Sequence, residues 1–171
     1  MSKYIFLDID GVLNSLEGLD NYETLSLKGE IILADQGWIE KPLLRRLHDL
    51  VYKSNAHIVG VSSWFILPEY ISEISKALML PILDITSDVS GSSQRGMAVL
   101  KWLTEHNYNS EKDRFVILDN DTPELNMYYY PTVQIFGSCG LSENNIKEAL
   151  VFLEKEQSLS EYMELQKKGM Q

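Results

Sequence analysis

The sequence is poor in cysteine, in positive charge and in long apolar runs, and each shortage removes a class of protein. Cys139 is the single cysteine of the 171 residues. Neither an internal disulfide nor a cysteine zinc site is therefore available, which fits a reducing compartment. The three histidines, His48, His57 and His106, show no ligand spacing and lie in helical or strand patterns. Lys and Arg number 15 against 25 Asp and Glu, giving a formal net charge of -10 and a pI near 4.7. Such a chain repels polyanions at long range, so long nucleic acids and anionic membranes are disfavoured as partners, while a local basic pocket for one phosphate is still allowed. Residues 1–7 reach Asp8 after only the apolar run Tyr4-Ile5-Phe6-Leu7, too short for a signal-peptide core, and no apolar run approaches a membrane span. A soluble, cytoplasmic protein is expected. Internal repeats, low-complexity stretches and a second-domain linker are also lacking. What remains is ordinary globular composition, 44% hydrophobic and 23% charged, which excludes wholesale disorder. The length suits one domain able to bury its own core.

Short β-rich runs alternate with longer helical ones. Residues 4–8, 57–62 and 115–119 are apolar runs ending in carboxylate or hydroxyl residues, and 132–136 gives a weaker fourth strand. Runs apolar on both faces are what a parallel sheet covered by helices requires. Helical stripes follow at Leu43, Leu44, Leu47, Leu50 and Val51, and at Tyr70, Ile71, Ile74, Ala77 and Leu78. Two more fall at Val99, Leu100 and Leu103, and at Ile146, Ala149, Leu150 and Leu153. Pro42 and Pro68 suit helix starts and Pro81 a helix stop. Residues 14–41, with Gly18, Gly29 and Gly37, break the alternation and read as a small insertion, a hairpin flap or cap, after the first strand. The expected fold class is α/β, a three-layer sandwich with a mainly parallel central sheet, in one domain over residues 1–155. A polar tail, helical or frayed, occupies 156–171.

Chemistry concentrates at the strand ends, where such sheets bind ligands. Asp8-Ile9-Asp10-Gly11-Val12-Leu13-Asn14 follows the first strand directly. If extended geometry persists, the two carboxylates leave the strand on the same side. One is then able to attack phosphorus while the other handles the proton, and together they suit a hard cation such as Mg²⁺. Gly11 permits the sharp departure that turns backbone N–H groups toward an anion. Ser62-Ser63-Trp64 closes the second strand and offers hydroxyl and N–H groups to phosphate oxygens, or alternatively a helix cap. Trp64 suits either core or pocket wall. Ser92-Ser93-Gln94-Arg95-Gly96 precedes the third helix; Arg95 is the chosen countercharge, with Lys101 more than a turn further on. Asp119 at the end of the later strand completes a metal site, with Asn120 or Asp121 able to orient water or the cation, and Asp121 equally suited to capping a helix from Thr122. Tyr128, Tyr129 and Tyr130 favour packing over ring stacking. Residues 137–140 border the site, where Cys139 lacks a histidine partner.

The order of these motifs resembles the haloacid dehalogenase-like (HAD) hydrolases over residues 3–155. Ser62-Ser63-Trp64 and the Arg95-Gly96, Trp102-Leu103 helix are similar to the small, weakly capped phosphatases, including the phosphatase halves of nucleic-acid end-repair enzymes. The resemblance implies that Asp8 is the nucleophile and forms an aspartyl-phosphate, and that Asp10 is the acid/base. It implies that Ser62, Ser63, Gly11 and Arg95 bind the phosphoryl group, with Arg95 in place of the family's usual Lys. It further implies Mg²⁺ held by Asp8, the Asp10 carbonyl and Asp119. Asn120 departs from the family, standing where many relatives have a second acid. The activity implied is a magnesium-dependent phosphatase acting on a small phosphorylated substrate, a nucleotide-type or nucleic-acid-end monoester favoured, with Trp38, Trp64 and Tyr128 suited to a base. A homo-oligomer closing the open site is compatible. The competing expectation is a non-catalytic scaffold that sequesters a nucleotide or partner. A phospho-receiver fits poorly because the middle strand ends in Ser62 rather than Asp.

Overall fold

A computed structural model describes residues 1–67, 69–86, 95–121 and 130–155. Pro68, Ser92 to Gln94, the proposed helix start at Thr122, Tyr128, Tyr129 and the tail from 156 lie outside the described residues. Five strands form one all-parallel sheet: β1 (Lys3–Leu7), β4 (His57–Gly60), β5 (Ile82–Ile85), β6 (Arg114–Asp119) and β7 (Thr132–Gln134). Their order is β5-β4-β1-β6-β7. β1 is central because Ile5, Phe6 and Leu7 are wholly buried, so both of its faces need cover.

Alternation along the strands divides the core into two layers. Ile5, Leu7, Val116 and Leu118 meet Leu43, Leu44, Leu47 and Leu50 of α3 (Lys41–Ser54) and Ile146, Ala149 and Leu153 of α6 (Glu143–Glu154). On the opposite face Phe6, Phe115 and Ile117 meet Val99, Trp102 and Leu103 of α5 (Arg95–Glu105). The second helical stripe becomes α4 (Tyr70–Leu78), burying Ile74 and Leu78 with the first layer. This is the three-layer α/β sandwich the sequence pattern predicts. Each fully buried leucine of α3 contributes about 1.5–3 kcal/mol by leaving water. Pro42 lies in the first turn of α3, and Asn55 closes that helix at φ 53°, in the left-handed region where Asn is tolerated.

The insertion after β1 contains two short helices, α1 (Leu16–Asp20) and α2 (Tyr22–Leu27), then an antiparallel hairpin, β2 (Ile31–Ala34) and β3 (Gly37–Glu40). The hairpin flap is therefore present, with a helical lead-in that the scattered apolar residues did not reveal. It is anchored at its base, where the Glu40 N–H donates to the Leu13 carbonyl at 2.8 Å and the Lys41 N–H to the Glu30 carbonyl at 2.9 Å. α1 is pinned to the loop after β7 by the Leu16 and Glu17 N–H groups, which donate to the Gly137 and Ser138 carbonyls at 3.0 Å each. The sequence pattern missed β5. Its four residues form a sheet edge in which Leu83 is exposed, so the double-sided apolar signal is absent. The run at 132–136 pairs only over Thr132–Gln134. Among the described residues no helix is long and apolar enough to cross a membrane.

Candidate active site

Extended geometry ends at Leu7. The Leu13 N–H donates to the Ile9 carbonyl at 2.9 Å, so the chain turns immediately after Asp8. Asp8 and Asp10 consequently leave the strand in different settings, not as neighbours on one extended edge. Asp8 is 1% exposed, whereas Asp10 is exposed at the surface. The Asp8 N–H reaches the Leu118 carbonyl at 3.0 Å, and the Val61 N–H reaches the Leu7 carbonyl at 3.0 Å. The parallel register thus brings the ends of β1, β4 and β6 together, with Ser62 and Asp119 beside Asp8.

Arg95, the first residue of α5, joins the two buried acids. Its Nη1 donates to Asp8 Oδ2 at 2.9 Å and to Asp119 Oδ2 at 2.8 Å. The remaining carboxylate oxygens are held by backbone: Asp8 Oδ1 accepts from the Ile9 N–H and Asp119 Oδ1 from the Asp121 N–H, both at 2.8 Å. Ser62, fully buried beside Asp8, caps the 3-10 turn Ser63–Phe65 through its hydroxyl. The capping reading of Ser62 therefore holds. Ser63 is exposed at the start of that turn. Lys101 lies out along α5, 58% exposed and 3.9 Å from Glu105, so of these two cations it is Arg95 that meets Asp8 and Asp119.

Electrostatics follow from burial. The Asp8 carboxyl is pushed up to about 6, first by burial and then by the charge of Asp119, against the pull of Arg95, Ser62 and the Ile9 amide. Burial likewise raises Asp119, opposed by Arg95 and by the Asp121 N–H. For Arg95 burial works against the charge, but Asp8 and Asp119 outweigh it and hold the guanidinium above its ordinary value. Two carboxylates that resist ionising, each within 2.9 Å of one cationic nitrogen, form a site that calls for positive charge.

That donor set fits Mg²⁺. Asp8 and Asp119 present hard oxygens converging on one point, which the Arg95 guanidinium holds here and where a divalent cation would equally relieve their mutual repulsion. Among the described residues no group of three or more His, Cys, Asp or Glu side chains could hold a metal. Mg²⁺ needs no such cluster, because it is usually held by one or two carboxylates with water, main-chain oxygen and substrate phosphate completing the shell.

At the turns that follow Asp8 and Asp119 lies a cavity of about 520 Å³ lined by Asp10, Gly11, Asn14, Ser15, Leu16, Leu19 and Trp38 together with Asn120, Gly137 and Ser138; Asp8, Asp119 and Arg95 are not among its lining residues. The volume is in the range of small-molecule sites. Trp38 makes an edge contact with Tyr22 and turns toward the cavity, whereas Trp64 is 3% exposed and belongs to the core beneath the hairpin. The border predicted at residues 137–140 is present through Gly137 and Ser138. Four lining residues went unassigned in the sequence: Asn14, Ser15, Leu16 and Leu19. The signal available for Asn14 was its spacing, one helical turn beyond Asp10. Leu16 and Leu19 gave none, because exposed leucines become a wall only when α1 is docked.

Asn120 lies flat over two glycines. A Cβ on Gly11, whose φ is +72°, would collide with the Asn120 amide and stand 2.9 Å from its Cβ; one on Gly137 would stand 3.1 Å from Nδ2. Gly11→Ala is expected to cost at least about 1–2 kcal/mol from the left-handed backbone alone, and to dislodge Asn120. Urea denaturation reads the first effect and altered Asn120 side-chain amide resonances the second.

At the C-terminal edge of the parallel sheet, then, two strand-terminal carboxylates share one guanidinium. The chain matches, over residues 4–146, the family described as the HAD domain in Swiss Army Knife RNA repair proteins, and it belongs to that family. Among solved structures it is similar to a chain described as a HAD family hydrolase from Streptomyces avermitilis, with 14% identity, a TM-score of 0.39, and coverage of 86% of this chain and 77% of that one. Comparison with curated proteins gives no significant match.

Proposed function

We propose that this protein is a phosphatase that hydrolyses a phosphate monoester, of a nucleotide or a nucleic-acid end, through an aspartyl-phosphate on Asp8. The observation that carries the reading is the convergence of Asp8 and Asp119 on Arg95 at the strand ends, with Asp10, two residues after Asp8, bordering the adjacent cavity. In this reading an Asp8 oxygen attacks phosphorus, and the bond to the ester oxygen breaks as Asp10 gives that oxygen a proton. Water then attacks the aspartyl-phosphate, losing its proton to Asp10; inorganic phosphate departs and the Asp8 carboxylate is restored. Asp8, Asp119 and the Asp10 carbonyl are the residues to hold Mg²⁺, which supplies charge neutralisation for the transferring group. Arg95 shifts from between the carboxylates to the phosphoryl oxygens, Ser62 and Ser63 supply hydroxyl and N–H groups to the same oxygens, and Gly11, its N–H held by Asn14, lets the turn approach them closely.

The cavity wall supports this choice of leaving group. Leu16 and Leu19 are 63% and 56% exposed, yet they line the cavity together with Trp38. An apolar, aromatic wall suits the flat face of a base better than a polyhydroxylated sugar. The description of the family as belonging to RNA repair proteins supports the same class. The net charge of -10 favours a mononucleotide or a chain end over a long polynucleotide.

The test is phosphate release from nucleoside monophosphates, oligonucleotide phosphates and sugar phosphates, with Mg²⁺ and with EDTA. Metal-dependent turnover, fastest on the nucleotide or oligonucleotide members, is expected. Trp38→Ala is expected to raise KM for those substrates about tenfold, in line with about 1–3 kcal/mol per stacked base, and to leave sugar phosphates unchanged. Tight binding of one panel member without turnover would overturn the enzyme reading in favour of sequestration.

A further inference from the structure

The side chain of Asn14 makes three hydrogen bonds at the cavity. Its Oδ1 accepts the Gly11 N–H at 2.8 Å, while Nδ2 donates to Asp10 Oδ1 at 3.1 Å and to the Trp38 carbonyl at 3.2 Å. The amide orientation is determined by its partners. Flipping it would set NH₂ against a backbone N–H and the carbonyl oxygen against two acceptors. One short side chain therefore ties the turn after β1, the Asp10 carboxylate and the hairpin together.

Asp10 needs such a tie. Asp8 and Asp119 are held by burial and by Arg95, but Asp10 is exposed on a turn, and Asn14 is the hydrogen-bond partner of its carboxylate among the described residues. A free aspartate at the surface samples several rotamers, whereas a proton donor must lie within hydrogen-bond reach of the leaving oxygen. Displacement by about 1 Å costs on the order of 100-fold in rate. The second bond of Nδ2, to Trp38, places the acid in register with the wall that receives the leaving group.

We propose that Asn14 is a positioning residue that aims Asp10 at the leaving-group oxygen and couples that aim to the position of the Trp38 hairpin. The proposal rests on the reading of Asp10 as general acid. Its signature is dependence on the leaving group, because an alkoxide needs a proton to depart and p-nitrophenolate does not.

The experiment compares kcat/KM for an alkyl phosphate and for p-nitrophenyl phosphate in Asn14→Ala, Asn14→Asp, Asp10→Asn and the double variants. Asn14→Asp keeps an acceptor for the Gly11 N–H but loses the donor to Asp10, so it carries the test if the alanine variant fails to fold by circular dichroism. Either Asn14 variant is expected to lose about 10- to 100-fold on the alkyl substrate and under about threefold on the aryl one. Neither should lower activity further in the Asp10→Asn background. Equal losses on both substrates, or losses that multiply with Asp10→Asn, would overturn the proposal. If Asp10→Asn itself leaves the alkyl-to-aryl ratio unchanged, the general-acid reading falls and the proposal falls with it. A selective Asp10→Asn beside unselective Asn14 variants removes the proposal alone.

Discussion

Asp8→Asn is expected to abolish turnover and, at neutral pH, to make the protein more stable. The loss of activity should be at least about 10⁴-fold, since no other group replaces an absent nucleophile. The gain in stability follows from the raised carboxyl. Its pKa is about 6 in the folded protein against 3.8 for an unperturbed Asp. Between those values the folded protein keeps a proton that the unfolded chain has released, so stability falls as pH rises through that window. Above it the ionised, buried Asp8 is a standing cost, which a neutral amide of the same shape removes. A gain of about 1–3 kcal/mol at pH 8 is expected, since each tenfold change in an acid's dissociation constant is worth about 1.4 kcal/mol. It should shrink to under about 1 kcal/mol near pH 4, where Asp8 is neutral in the folded protein and about half ionised in the unfolded chain. Urea titrations of wild type and variant at pH 4 and pH 8 measure it. A variant destabilised at both would mean that Arg95 depends on the Asp8 charge more strongly than burial opposes it.

Arg95→Ala should have the opposite sign and a larger size. It leaves Asp8 and Asp119, each 1% exposed, facing one another without a countercharge. Removing one partner of a buried ion pair typically costs about 3–5 kcal/mol, which for a chain of this length is roughly 6–20 °C in Tm. Because the guanidinium lowers both carboxyls, its loss raises them further, so the deficit grows as pH climbs above about 4 and shrinks below it. Added Mg²⁺ should recover part of the Tm in the variant, since the same two oxygens then face a cation again. Thermal melts across pH, with Mg²⁺ and with EDTA, read both effects. A pH-independent deficit that Mg²⁺ leaves untouched would assign Arg95 a packing role.

Much of this architecture was legible in the sequence because parallel strands buried on both faces leave unbroken apolar runs. Ile5-Phe6-Leu7 and Phe115-Val116-Ile117-Leu118 could be read as strands with acids at their ends before any contact was known. The edge strand Ile82–Ile85 escaped because one of its faces meets solvent and its run is short. The two helices after Asn14 escaped because Leu16 and Leu19 look like isolated surface leucines along the chain. Trp38 and Trp64 were indistinguishable by type; only the docking of the hairpin sends one to the cavity and the other to the core.

By itself the sequence determined the fold class and which carboxylates end the central strands, since both depend on local pattern: apolar periodicity and the residue that follows it. It also supplied Arg95 as a cation at a helix start. Only the tertiary structure decided that Asp8 and Asp119 meet on one nitrogen of Arg95, because that meeting depends on β1 and β6 lying side by side in register. Likewise only the tertiary structure separated buried Asp8 from exposed Asp10 and gave Asp10 to Asn14. The turn at Ile9 to Leu13, not the two-residue spacing of the acids, sets where each side chain goes.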